Sequence, residues 1–124
     1  MRPARESDVE TIVAAATPPG KSALAVVRIS GADALAVARR ICPGLPDPPA
    51  PRVAHLTYFR AGDGEIFDRG IVLYFSAPRS ATGEDVIEAF LHGSPLLVSQ
   101  FIDAATAAGA RRRCLLYTSP SPRD

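Results

Sequence analysis

Residues 82–95 constrain the fold most, because they join a polar turn, a short apolar run and a helix start without a spacer. The apolar run, Val-Ile-Glu-Ala-Phe-Leu, is interrupted by Glu88. A charge in such a run either faces solvent or is buried with a partner, since an unpaired buried charge is costly. Ser94 and Pro95 then form an N-cap and a first helical residue. We therefore predict a strand followed at once by a helix, with Glu88 and His92 near one rim.

The rest of the chain predicts an α+β fold, a mixed sheet with its helices packed on one face. Strands are expected at residues 11–16, 24–29, 53–59 and 71–75, the last two as a hairpin around Gly62-Asp63-Gly64. A helix ending near Ile41 is expected to start at a capping box formed by residues 30–33. A second helix covers residues 96–108, with Gly109 as its C-terminal cap.

Two charged or glycine-rich segments carry no predicted site. Gly20-Lys21-Ser22 is not a phosphate loop, because position 15 is Ala and Pro18 and Pro19 lack N–H donors. The charges near the hairpin, Glu65, Asp68 and Arg69, are expected to be solvated.

Composition excludes several functions for the chain by itself. Its 14 basic and 13 acidic residues give a net charge of +1, which provides no general field for binding a nucleic acid backbone. Two cysteines predict neither a disulfide framework nor a metal cluster. No apolar run approaches the ~20 residues that cross a bilayer, and residues 1–8 lack a signal-peptide core. We expect a cytoplasmic protein without a membrane partner and no evident catalytic residue.

Three motifs, in order, resemble the folate-binding N-terminal domain of the MnmE/TrmE family of tRNA-modifying GTPases. They are residues 11–20 (Thr-Ile-Val-Ala-Ala-Ala-Thr-Pro-Pro-Gly), residues 27–31 (Val-Arg-Ile-Ser-Gly), and residues 82–88 (Thr-Gly-Glu-Asp-Val-Ile-Glu) followed by His-Gly-Ser-Pro. The resemblance implies a domain over residues 9–111, similar in fold to the folate-binding domain of aminomethyltransferases, after a disordered extension at 1–8. We expect residues 112–124 to be non-native or disordered, because residues 114–124 resemble translated sequencing adapter. A natural Ser/Pro-rich tail is the alternative.

The resemblance also implies a function and a binding site. This domain would bind 5-formyl- or 5,10-methylene-tetrahydrofolate, with Glu88 on the pterin edge, Arg28 on the glutamate tail and His92 as a further contact. The domain would form a homodimer. The complete protein would hydrolyse GTP with Mg and K ions in a G domain outside this chain. With the flavoprotein MnmG, also called GidA, it would modify C5 of the wobble uridine of tRNA.

The residues leave three alternatives to this function and site, and only the first two dispense with folate. Arg28 and Glu88 could form only an ion pair between neighbouring strands. The chain could be a dimerisation module that no longer binds folate. A folate-dependent aminomethyltransferase would need a catalytic aspartate for which the sequence gives no match.

Overall fold

The computed structural model describes residues 10–16, 23–77 and 84–113. The predicted extension at residues 1–8, the loop containing Lys21, the turn at Thr82-Gly83 and the segment 114–124 lie outside these ranges. Within them the chain forms six strands and two helices. In chain order these are β1 (Ile12–Ala15), β2 (Leu24–Ser30), α1 (Ala34–Ile41), β3 (His55–Arg60), β4 (Ile66–Phe75), β5 (Val86–His92), α2 (Pro95–Ala107) and β6 (Arg111–Arg112).

The strands form one mixed sheet in the order β3-β4-β5-β2-β1-β6. Every neighbouring pair is antiparallel except β1 and β6, which are parallel. The backbone N–H of Arg113 also donates to the carbonyl of Val13, at 2.9 Å. Residue 112, which the sequence assigned to the tail, therefore lies in β6, and residue 113 is bonded to β1.

Both helices lie on one face of this sheet, as predicted. The helices contact each other, and both contact β2, β3 and β5. Alternate strand residues fill the space beneath them, because successive side chains of a strand point to opposite faces. The fully buried strand residues on this side include Val27, Ile29, Phe59, Val72, Ile87, Ala89 and Leu91. The ring of Phe59 meets Phe101 of α2 edge to face, with centroids 5.3 Å apart.

The two helices begin in different ways. The start of α2 is as predicted: the Ser94 hydroxyl accepts a hydrogen bond from the N–H of Leu97, and Pro95 occupies the first turn. The capping box predicted for α1 is wrong. Ser30 is the last residue of β2, the N-cap is Asp33, and its side chain makes no capping bond. Instead the Asp33 N–H donates to the hydroxyl of Thr11, at 2.9 Å.

Candidate functional site

Arg28 and Glu88 lie opposite each other on adjacent strands. Strands β2 and β5 are antiparallel neighbours, and the register pairs Arg28 directly with Glu88. The flanking residues of both strands are buried beneath the helices. Strand alternation therefore directs both charged side chains to the other face of the sheet, which neither helix covers. Two of the three predicted site residues, Arg28 and Glu88, therefore meet on this open face.

The two side chains form a direct ion pair. Glu88 Oε2 accepts hydrogen bonds from Arg28 Nε at 3.1 Å and from Nη2 at 2.7 Å. The side chains are 31% and 20% exposed, so the pair is partly shielded from water. Among the described residues, no hydrogen bond reaches Glu88 Oε1 and Arg28 Nη1 has no acceptor. The ion pair anticipated as an alternative thus forms, and within residues 10–16, 23–77 and 84–113 each group has one polar atom outside it.

Apolar residues frame the pair along the same row of the sheet. The register places Leu73 of β4 beside Glu88 and Ala14 of β1 beside Arg28. The next row on the open face pairs Val26 with Phe90. Apolar neighbours lower the local dielectric and strengthen charge interactions. This row can therefore offer a planar polar ligand one carboxylate and one guanidinium between apolar contacts.

His92 lies four residues further along β5, at its end. It faces the same side as Glu88, at roughly 13 Å by the rise of a strand, about 3.3 Å per residue. Its side chain is 71% exposed, and its ring Nδ1 lies 2.8 Å from Oδ1 of Asp68. His92 therefore contacts neither member of the Arg28–Glu88 pair directly. A ligand that reaches all three residues must be elongated.

Asp68 is a residue that the sequence interpretation missed. It was expected to be solvated, but its side chain is only 9% exposed. Burial raises the pKa of the Asp68 carboxyl. Hydrogen bonds from the backbone of Arg69 and from the backbone and ring of His92 lower that pKa more, so it lies below its ordinary value. The prediction failed because the contact depends on the pairing of β4 with β5, for which no local motif exists.

A separate cavity is lined by none of Arg28, Glu88, Asp68 and His92. It has a volume of about 370 Å³ and opens between the ends of both helices and the β3–β4 hairpin. Its charged lining residues are Arg40, Arg60 and Asp63, and the remainder is mainly alanine, glycine and backbone. Arg60 Nε donates to the carbonyl of Arg40, at 3.0 Å. No sequence motif marked this cavity.

Across residues 10–16, 23–77 and 84–113, no three His, Cys, Asp or Glu side chains are grouped as metal ligands would be. Cys42 is buried and unpaired. In the same ranges neither helix is long and apolar enough to cross a membrane.

Comparison with known proteins gives one consistent family. The model of the family described as "GTP-binding protein TrmE N-terminus" matches residues 11–113. A tRNA modification GTPase MnmE from Halorhodospira halophila is 50% identical over 106 residues, covering 86% of this chain and 22% of the relative. Its counterpart in Legionella pneumophila strain Corby is 47% identical over 103 residues, covering 83% and 23%. One from Myxococcus xanthus is 45% identical over 95 residues, covering 77% and 22%. The chain thus spans about a fifth of the length of these relatives.

Proposed function

Because the chain belongs to the family of TrmE N-terminal domains, we propose that it binds 5-formyl- or 5,10-methylene-tetrahydrofolate at Arg28, Glu88 and His92. The observation that carries this proposal is the partly shielded carboxylate–guanidinium pair on the open face of the sheet. A carboxylate can accept two adjacent N–H groups of a pterin, and a guanidinium can hold a carboxylate of the glutamate tail. The chemistry of both residues fits a reduced folate.

Binding would proceed by exchange of partners. Arg28 and Glu88 touch at 2.7 Å, so they cannot hold the two distant ends of one folate while they remain paired. In the proposal, pterin N–H groups replace the guanidinium at Glu88, and Arg28 turns to the anionic tail. Each charge then keeps a partner, which avoids the penalty of leaving one unpaired in a partly buried place. Glu88 Oε1 and Arg28 Nη1, which lie outside the ion pair, would make the first contacts with the ligand.

The complete protein is proposed to be a tRNA modification GTPase, the activity in the names of its relatives. It would hydrolyse GTP with Mg and K ions, form a homodimer through this domain and act in the cytoplasm. With the flavoprotein MnmG (GidA), it would modify C5 of the wobble uridine of tRNA, the folate supplying a one-carbon unit. This chain would contribute the folate site and the dimer contact rather than the nucleotide chemistry.

Isothermal titration of the 124-residue chain with 5-formyltetrahydrofolate tests the site. Glu88→Ala and Arg28→Ala should each weaken binding roughly 10- to 100-fold, since a hydrogen bond to a charged group contributes about 1.5–3 kcal/mol. The matched control is Arg111→Ala, which removes an ion pair with Glu10 at the far edge of the sheet. Arg111→Ala should bind as the wild type does. Equal heats for all four proteins would refute the assignment of the site.

The alternative is a dimerisation module that does not bind folate. Two observations favour it: Arg28 and Glu88 already bond to each other, and Leu56 and Tyr58, two residues apart on β3, are 63% and 52% exposed. Exposed apolar side chains of this size often mark an interaction surface when they are grouped. Light scattering distinguishes the two functions when it is combined with the titration. A dimer that releases no heat with folate supports the alternative, whereas saturable binding rejects it.

A further inference from the structure

The backbone pairing of β4 with β5 stops two residues before the end of β5. The last pair in this direction is Ile71 with Phe90, and His92 lies two residues beyond it. There a side chain replaces the backbone ladder: the N–H of His92 donates to Asp68 Oδ2, at 3.1 Å. The ring Nδ1 of the same histidine lies 2.8 Å from Asp68 Oδ1. One carboxylate thus contacts both the backbone N–H and the ring Nδ1 of His92.

The contact between Asp68 and the ring of His92 determines which ring nitrogen carries the proton. An ionised carboxylate only accepts hydrogen bonds, so the nitrogen that faces it, Nδ1, must be the donor. In the neutral imidazole, Nε2 is then left with a free lone pair. The lowered pKa of Asp68 keeps this carboxylate ionised at neutral pH. The Asp68 side chain is 9% exposed and the His92 side chain is 71% exposed. Asp68 therefore covers Nδ1, whereas most of the imidazole ring faces solvent.

We propose that Asp68 is a positioning residue, which holds His92 with Nε2 exposed as a hydrogen-bond acceptor for an N–H or O–H group of a bound ligand. The same arrangement of carboxylate and histidine orients the ring in many metal and catalytic sites. Here the bond from the backbone N–H adds a second constraint on the carboxylate. Asp68 therefore restricts both the tautomer and the orientation of the imidazole.

The chemistry of the ligand follows from the proposed function, on which this part of the inference rests. His92 and Glu88 lie on the same face of β5, about 13 Å apart by strand geometry. A reduced folate is elongated and carries N–H donors along its length, so one molecule could contact both residues. Asp68 would then affect folate affinity only through His92. A purely structural role of Asp68, as a cap on the end of β5, predicts no such dependence.

The first test reads the tautomer directly, without any ligand. In the 124-residue chain labelled with ¹⁵N, the His92 ring nitrogens are observed by NMR at mildly alkaline pH. We expect Nδ1 to carry the proton in the wild type, and the proton to move largely to Nε2 in Asp68→Ala. Asp63→Ala is the control, because Asp63 is an exposed hairpin carboxylate that bonds only the N–H of Glu65 among described residues. An unchanged tautomer in Asp68→Ala would overturn the proposal.

The second test measures the affinity for 5-formyltetrahydrofolate in paired variants. Asp68→Ala should weaken binding about five- to tenfold, as expected for one neutral hydrogen bond. His92→Gln places an acceptor near the Nε2 position without needing Asp68, so adding Asp68→Ala to it should change the affinity less than twofold. His92→Asn places an amide near the Nδ1 position but no acceptor near Nε2. It should therefore bind 5-formyltetrahydrofolate as weakly as Asp68→Ala does. An equal loss from Asp68→Ala in the wild type and in His92→Gln would show a structural role instead.

The two tests separate failure of this inference from failure of the proposed function. If the wild type binds no folate but Asp68→Ala moves the ring proton, folate is the wrong ligand and the positioning role stands. If folate binds and the tautomer does not depend on Asp68, the positioning role is rejected while folate binding stands.

Discussion

At the scale of single residues, Gly70 has the least room for a side chain among the glycines whose surroundings the structure describes. A Cβ at this position would overlap the backbone carbonyl oxygen of Phe90 and lie 3.0 Å from a ring carbon of Phe59. Because a backbone oxygen in a paired strand cannot move aside cheaply, Gly70→Ala should lower the free energy of unfolding by about 3 kcal/mol. Urea unfolding followed by circular dichroism measures this loss.

Gly62→Ala is the matched control for this substitution. A Cβ at Gly62 would meet only the Cβ of Ala107, at an ordinary contact distance of 3.7 Å. Its effect should stay within about 0.5 kcal/mol, as for most surface changes. Equal urea midpoints for the two variants would show that β4 and β5 are not as close at Gly70 as described.

The site residues differ in how far the sequence could predict them. Arg28 and Glu88 each occupy a polar position within an apolar run, so local alternation placed both on a sheet face. Their direct contact needed the register of β2 against β5, which the sequence left open as one alternative. Asp68 could not be found in this way. It lies just after the hairpin turn, where charges are usually solvated, and its contact with His92 depends on how β4 lies beside β5.

At the scale of elements, helix α2 depends on its first turn. The Ser94 hydroxyl accepts from the N–H of Leu97, one of the four donors that a helix start leaves without a partner. Ser94→Ala should lower the free energy of unfolding by about 1 kcal/mol. Ser99→Ala provides the control, because Ser99 is an exposed residue inside the same helix and Ala has the higher helix propensity. Thermal melts should separate the two variants, and identical melting temperatures would mean that the cap contributes nothing.

The contrast between the helix starts shows where local signals suffice. Ser94 and Pro95 predicted the start of α2 because their effect lies within one turn. The same reasoning failed at Ser30, which pairs with Val86 and Ile12 in the sheet. The tertiary contact of Thr11 then supplies the bond that a capping box would have made at the start of α1. A local capping motif is thus overridden where a strand continues through it.

At the scale of the whole molecule, the order of strands and helices was enough to predict an α+β fold with both helices on one face. Amphipathic helices must bury their apolar side against the sheet, so they share a face when the other face carries the charged residues. The position of β6 beside β1 was not predictable in this way. It consists of two arginines, which have no strand pattern, and it is held by parallel pairing with Ile12 and Val13.

The reactivity of Cys42 can show whether the helices pack over the sheet and bury the core. Its side chain is 1% exposed at the end of α1, within the single buried cluster formed by helices and sheet. Burial raises the pKa of its thiol to about 12, although the nearby charge of Arg60 lowers it slightly. Because the thiolate is the reactive form, Cys42 should react with iodoacetamide at about pH 8 only when the molecule unfolds. For a typical stability of about 5 kcal/mol, labelling should be slower than in urea by more than a thousandfold.

The same raised pKa gives a direction for alkaline stability. The folded chain favours the neutral thiol, so the contribution of Cys42 to stability is complete below the thiol pKa of the unfolded chain, ~8.5. It is lost as the pH rises from there toward 12.

Labelling in a Cys114→Ser background isolates the signal of Cys42, and Cys42→Ser in that background should remove it. If Cys42 in the native chain reacts as fast as it does in urea, the helices do not close over the sheet in solution.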